Sequence, residues 1–153
     1  MFQIEPIGYV RGARTTTEDD NWGNTTATIE LAEPYPAESL AGLEAFSHAE
    51  IVYVFDRVKP ENIVASARHP RSNPAWPRVG IFAQRAKMRP NRLGVTIVRI
   101  LSVEGLTLRV AELDAMEGTP VVDIKPVMNE FLPRTAVTQP AWATELMSRY
   151  WNA

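Results

Sequence analysis

The 153-residue chain has no cysteine and only two histidines. The first absence removes thiolate nucleophiles, iron–sulfur clusters and zinc–thiolate sites, and it fits a reducing compartment. The two imidazoles, His48 and His69, form no metal-ligand spacing with each other or with nearby carboxylates, so no metal is expected. Neither can be paired with a serine or threonine nucleophile from sequence, which leaves a histidine general base weakly supported. Eight glycines fall at 8, 12, 23, 42, 80, 94, 105 and 118, so neither G-x-G-x-x-G nor a Walker loop can be drawn. That argues against a Rossmann cofactor site. No apolar run approaches the roughly 20 residues of a membrane span. Met1 to Glu5 also lacks the charged and apolar regions of a signal peptide, so a cytoplasmic protein with no membrane partner is expected.

What is present is ordinary in total: 45% hydrophobic, 22% charged, net charge −2. A single globular domain over residues 1–153 is expected, with no repeat, low-complexity tract or linker. A chain of this size buries roughly 70% of its unfolded surface and can build a core without disulfides. The distribution of charge says more than its sum. Residues 68–99 hold eight basic and no acidic side chains, against net −7 in residues 1–67 and −3 in residues 100–153. Seven of those eight are arginines, whose planar fork suits carboxylate, phosphate or base-edge recognition. His69, Trp76 and Phe82 interleave with them, which favours a nucleotide or RNA over simple balancing of acidic surface elsewhere.

Alternating or β-branched runs predict strands at residues 3–10, 25–31, 51–55, 79–83, 95–101, 106–112 and 121–124, with a tight turn at Glu104-Gly105. One short helix is predicted over Ala37 to Phe46. A second is predicted from Pro140 through Trp151, where Trp142, Leu146 and Tyr150 recur at four-residue spacing and would pack on the body or on a second subunit. Many short strands with few helices predict a mainly β fold, an antiparallel barrel or sandwich in place of a doubly wound sheet.

Two segments concentrate chemistry. Gly80 to Gly94 reads as a strand, a basic loop fixed by Pro90 and a return strand, and it aims Gln84, Arg85, Lys87, Arg89 and Arg92 at one region. Glu112 to Pro126 carries Asp114, Glu117 and Asp123 around a rigid Gly118-Thr119-Pro120 turn, with carboxylates suited to accept from a ribose diol or an amino group. A capped turn with a local Asp123–Lys125 pair explains the second segment equally well. Asp19-Asp20-Asn21-Trp22-Gly23 is read as an Asx-type turn or a weak cation site, and no metal is assigned to it.

Read in order, Pro6 to Arg11, Leu40 to His48, Val79 to Gly94 and Leu113 to Pro126 closely resemble the TsaA-like, TrmO family of S-adenosylmethionine-dependent methyltransferases. The resemblance implies a small β-barrel acting as a homodimer with S-adenosylmethionine as cofactor. It further implies tRNA as substrate, with N6-methylation of threonylcarbamoyladenosine beside the anticodon. Ala83-Gln84-Arg85 matches the family's Ala-Thr-Arg-Ser loop, and Arg89-Pro90-Asn91 its Arg-Pro-Asn. Asp114 with Glu117-Gly118-Thr119-Pro120 matches its Asp-x-x-Asp-Gly-Thr-Pro. Carried over, Arg85, Asn91 and Asp114 would serve catalysis as positioners. Asp56, Arg57, Phe82, Ala83, Gln84, Arg85, Asp114, Glu117, Gly118 and Thr119 would hold the cofactor, and Arg71, Lys87, Arg89, Arg92 and Lys125 would face the substrate, with bracing of the loops the alternative for Arg89, Asn91 and Lys125.

This chain departs from the family at two loops. Asp20-Asn21-Trp22-Gly23 stands where the family has Pro-Arg-Gln, and Phe55-Asp56-Arg57 where it has Phe-His-Gln. The further C-terminal domain of some tRNA-acting members is not among these residues, which leaves RNA binding less secure than cofactor binding. Two alternatives stay open: a nucleotide- or RNA-binding barrel that transfers nothing, and a methyltransferase acting on a small molecule.

Overall fold

A computed structural model describes residues 1–153. Six antiparallel strands close into a barrel in the order β1-β2-β7-β6-β3-β8. They are β1 (Gly8–Arg11), β2 (Thr26–Leu31), β3 (His48–Val54), β6 (Leu93–Glu104), β7 (Thr107–Ala111) and β8 (Pro120–Pro126). A separate two-stranded hairpin pairs β4 (Ala67–Arg68) with β5 (Val79–Gly80). One α-helix, α1, spans Ala141–Leu146. No helix is long and apolar enough to cross a membrane. Of the barrel and the sandwich that alternation allowed, the small closed antiparallel β-barrel with a few short helices and a C-terminal helix, which the family resemblance implied, is the observed fold.

Alternation closes the barrel because every strand sends one face inward. Val10, Ile29, Ile51, Val98, Leu108, Val110 and Val121, which come from all six strands, are at most 1% exposed. Each such side chain contributes roughly 1.5–3 kcal/mol on burial. Two bulges bend the sheet toward closure. Leu101 is the extra residue of β6 against β7, and Val122 the extra residue of β8 against β3, beside Tyr53.

Several local expectations are corrected. The first strand is confined to Gly8–Arg11, although Ile7 still donates its backbone N–H to Val121 at 2.8 Å. The helix expected over 37–46 is two 3-10 turns, Ala37–Leu40 and Leu43–Ala45, because Gly42 between them takes φ +89°. The strand expected over 79–83 stops at Gly80 and continues as a 3-10 turn over Ile81–Ala83. The tight turn lies one residue later than expected: Glu104 pairs with Thr107, so Gly105 and Leu106 are its central residues, with Gly105 at φ +57°. Finally α1 stops at Leu146, and Pro140 caps it instead of occupying its first turn.

Strand direction sorts the connections between the two ends of the barrel. Residues 12–25, 55–92 and 112–119 all emerge at one end, where β1, β3 and β7 finish and β2, β6 and β8 begin. Residues 32–47 and the Gly105-Leu106 turn lie at the other.

Candidate active site at the loop-bearing end of the barrel

The first half of β6 is paired on one side only. Residues 93–98 have β3 as a neighbour, while pairing with β7 begins at Arg99–Ala111. Beyond Ala111 the chain leaves the sheet through Glu112, at φ +65°, and brings Asp114 back against β6. Arg85 serves the same open edge, donating a side-chain N–H to the Val95 carbonyl.

Asp114 is the centre of this arrangement. Its Oδ1 accepts from the Tyr53 hydroxyl at 3.0 Å and from the Thr96 hydroxyl, and its Oδ2 accepts from the Tyr150 hydroxyl. Tyr53 reaches this point from the end of β3 because Gly94 lies opposite it. A Cβ on Gly94 would come within 2.6 Å of the Tyr53 ring and 2.9 Å of the Phe55 ring. Burial first, and then the Asp114 charge, push both the Tyr53 and the Tyr150 phenols above their ordinary range, with the Arg85 guanidinium acting the other way on each. The two phenols therefore keep their protons and donate hydrogen bonds to the carboxylate. Hydroxyl donors to an ionised acceptor make strong, short hydrogen bonds, which fix the carboxylate in one orientation.

Around this centre the 114–119 turn is tied to its neighbours. The Glu117 carboxylate accepts from the Ala13 backbone N–H at 2.9 Å, and Arg57 donates to the Glu117 carbonyl at 2.9 Å. Gly118, at φ +81°, donates its N–H to Val10, and Thr119 is buried. Arg57, Arg85, Asp114 and Glu117–Thr119 are thus gathered at one end of the molecule. Phe82 and Ala83 are exposed on the 3-10 turn that follows β5, and Asp56 is exposed at the end of β3.

Other expected residues stand elsewhere or are held by backbone. Gln84 is 7% exposed and spends its amide N–H groups on the Arg68 and Val79 carbonyls, which pins the β4–β5 hairpin. Arg89 donates to the Gln84 carbonyl and Arg92 to that of Val58, so both brace the 55–92 excursion. Asn91 lines a groove of about 640 Å³ with Phe2, Ile4, Val54, Leu93 and Val122. Arg71 makes a bidentate pair with Asp20, at 2.8 and 3.2 Å. Lys87 is half-buried. Lys125, exposed and 2.8 Å from Asp123, lies toward the opposite end of β8. The histidines do not converge on the site: His48 Nδ1 meets Ser47 Oγ at 2.6 Å, and His69 Nδ1 meets the Trp76 carbonyl at 2.7 Å.

The feature that sequence reasoning missed is the seat of the C-terminal segment. The Asp20–Gly23 loop receives it as three backbone hydrogen bonds, from Asn21 to Arg149, Trp22 to Tyr150 and Gly23 to Asn152, at 2.8–3.1 Å. Arg14 holds that loop from beneath, its guanidinium 3.7 Å from the centre of the Trp22 ring and its N–H groups on the Asp20 and Asn21 carbonyls. The available signal was Gly23 itself, where a Cβ would lie 2.1 Å from the Trp151 carbonyl oxygen.

Comparison with known proteins fits this geometry. The sequence model of the tRNA-methyltransferase O N-terminal domain matches residues 15–131. The chain belongs to the TrmO family. It is 38% identical over 144 residues to a human tRNA (adenine(37)-N6)-methyltransferase, covering 89% of this chain and 32% of that protein. It is 34% identical over 137 residues to the Escherichia coli protein of the same name, covering 83% and 58%. A crystal structure of TrmO from Pseudomonas aeruginosa superposes with a TM-score of 0.71 at 28% identity, over 94% of this chain and 63% of that one. The chain thus spans about a third of the human relative and under two thirds of the bacterial ones.

Proposed function

We propose that this protein is an S-adenosylmethionine-dependent methyltransferase acting on tRNA, with the N6 position of threonylcarbamoyladenosine beside the anticodon as the acceptor. The observation that carries the reading is that Arg85 bonds the Val95 carbonyl and Asp114 the Thr96 hydroxyl, on adjacent residues at the open edge of β6, in a chain of the TrmO family.

The donor set suits the cofactor. A guanidinium stands ready for a carboxylate, and a carboxylate with one acceptor position beyond its three hydroxyl partners stands ready for an ammonium or a ribose hydroxyl. Arg85, Asp114 and the Glu117–Thr119 turn would hold it. When bound, the cofactor supplies a methyl group already activated on a sulfonium. The protein's residues then orient, exclude water and neutralise charge. None of the hydroxyls around Asp114 serves as a base, since both phenols are held protonated.

The tRNA assignment is supported by the relatives' names and by residues 68–99. Of the eight basic side chains there, only Arg71 forms an ion pair. Contacts to backbone carbonyls leave the charge of Arg89 and Arg92 unpaired, which suits a polyanion. A homodimer belongs to the same proposal, with exposed Phe2, Phe131 and Val137 as candidate contacts.

The test is transfer of a labelled methyl group from S-adenosylmethionine to bulk tRNA, followed by nucleoside analysis. The expected product is N6-methylated threonylcarbamoyladenosine. Cofactor binding with no transfer to tRNA would point to a small-molecule acceptor. Salt-sensitive RNA binding without cofactor affinity would leave a binding module.

A further inference from the structure

The Asp20–Gly23 loop carries residues 149–152. The segment leaves α1 and lays three backbone hydrogen bonds along 21–23. It is seated where no side chain but glycine's fits, over Gly23. Tyr150 lies in the middle of the three, half-buried, with its ring edge-on to Trp151 at 5.0 Å and its hydroxyl on Asp114 Oδ2. Tyr53 and Thr96 occupy Oδ1 from inside the barrel, so the tail alone supplies the donor on Oδ2.

We propose that Tyr150 is a positioning residue of the cofactor site: the 149–152 strap, seated on Gly23, fixes the Asp114 carboxylate so that the remaining Oδ2 acceptor position faces the ligand. The inference rests on the methyltransferase reading and deepens it. Without the third hydroxyl the carboxylate is held through Oδ1 only, by Tyr53 and Thr96, and Oδ2 loses the one contact that fixes its position. Seating of the strap and readiness of the site are therefore one equilibrium, and a substitution at Gly23 acts on the cofactor through Tyr150.

The experiment compares the full chain with Tyr150→Phe, Gly23→Ala and the double variant. The readouts are calorimetric titration with S-adenosylmethionine, methyl transfer, and ultraviolet titration of the tyrosines. Tyr150→Phe keeps the ring and removes the hydroxyl; it should weaken cofactor binding about tenfold. At saturating cofactor kcat should stay within about twofold of wild type. Gly23→Ala should weaken cofactor binding to the same degree and let one more phenol ionise in its ordinary range, because Tyr150 is released to water. The double variant should be no worse than either single one, as expected for two changes on one path.

Wild-type affinity in Tyr150→Phe would overturn the proposal, as would tighter binding, which would make the strap an occluding latch. Additive losses in the double variant would also overturn it. If the wild-type protein binds no S-adenosylmethionine, the methyltransferase reading fails and this inference fails with it. If the wild type binds and the variants match it, only this inference fails.

Discussion

The two ends of the barrel solve the same problem, reversing the chain, in opposite ways. At the end bearing residues 32–47 and the Gly105-Leu106 turn, every left-handed residue is a glycine, namely Gly42 and Gly105. At the other end Asn21, Asn24, Arg71, Ser72, Asn91, Arg92 and Glu112 all take positive φ without being glycine. Each costs of the order of 1 kcal/mol and persists only where surrounding contacts impose it. Those contacts are the Arg71–Asp20 pair, the Arg92–Val58 bond, the seat of the tail on Asn21, and the return of Asp114 to β6 after Glu112. One end is built from permissive residues and carries no convergent chemistry. The other accepts local strain to hold an arginine, an aspartate and three hydroxyls together.

The largest difference between the two ends is expected from Arg85→Ala. Arg85 is exposed and braces only one carbonyl, so the fold should survive while methyl transfer falls at least ~100-fold, the scale of removing a charged positioning contact. Turnover within a few-fold of wild type would remove the loop end's claim to the chemistry.

A smaller effect is expected in alkali. Tyr53 and Tyr150 are held protonated in the folded chain by burial and by Asp114, whereas in the unfolded chain they ionise near pH 10. Above that pH the unfolded state binds fewer protons than the folded state, so stability is intact below about pH 9 and falls as pH rises. The slope approaches about 1.4 kcal/mol per pH unit for each phenol. Denaturant midpoints at pH 8, 9.5 and 10.5 should show it, with a shallower slope in Tyr150→Phe.

The smallest effect tests the quiet end. Gly105→Ala places a Cβ at φ +57° and should cost about 1 kcal/mol. Its thermal midpoint should drop while cofactor affinity and turnover stay unchanged. A matching loss of activity would mean that the two ends are coupled through the barrel.

Alternation made the barrel strands legible, since inward residues such as Ile29, Ile51 and Leu108 recur at period two. Period alone misplaced the helices. Gly42 divides 37–46, and the 142–146–150 spacing runs past the end of α1, so that Tyr150 belongs to a strap and not to a helix face. Within the site, motif likeness pointed to Arg85 and Asp114 but not to the partners of Asp114. Tyr53, Thr96 and Tyr150 are 61, 18 and 36 residues away from it in sequence; the β3–β6 pairing brings in the first two and the seating of the tail on residues 21–23 the third. Gln84 shows the converse: its amide suits a ligand by type, yet its burial commits it to the backbone of its own hairpin.

The central claim is that Arg85 and Asp114, gathered at the open edge of β6, form an S-adenosylmethionine site. Calorimetric titration of the dialysed wild-type protein with S-adenosylmethionine, with ATP and adenosine as controls, tests it most directly. Saturable binding selective over both controls, and lost in Arg85→Ala, is the predicted result. No binding at millimolar S-adenosylmethionine, or equal binding of all three ligands, would contradict the claim.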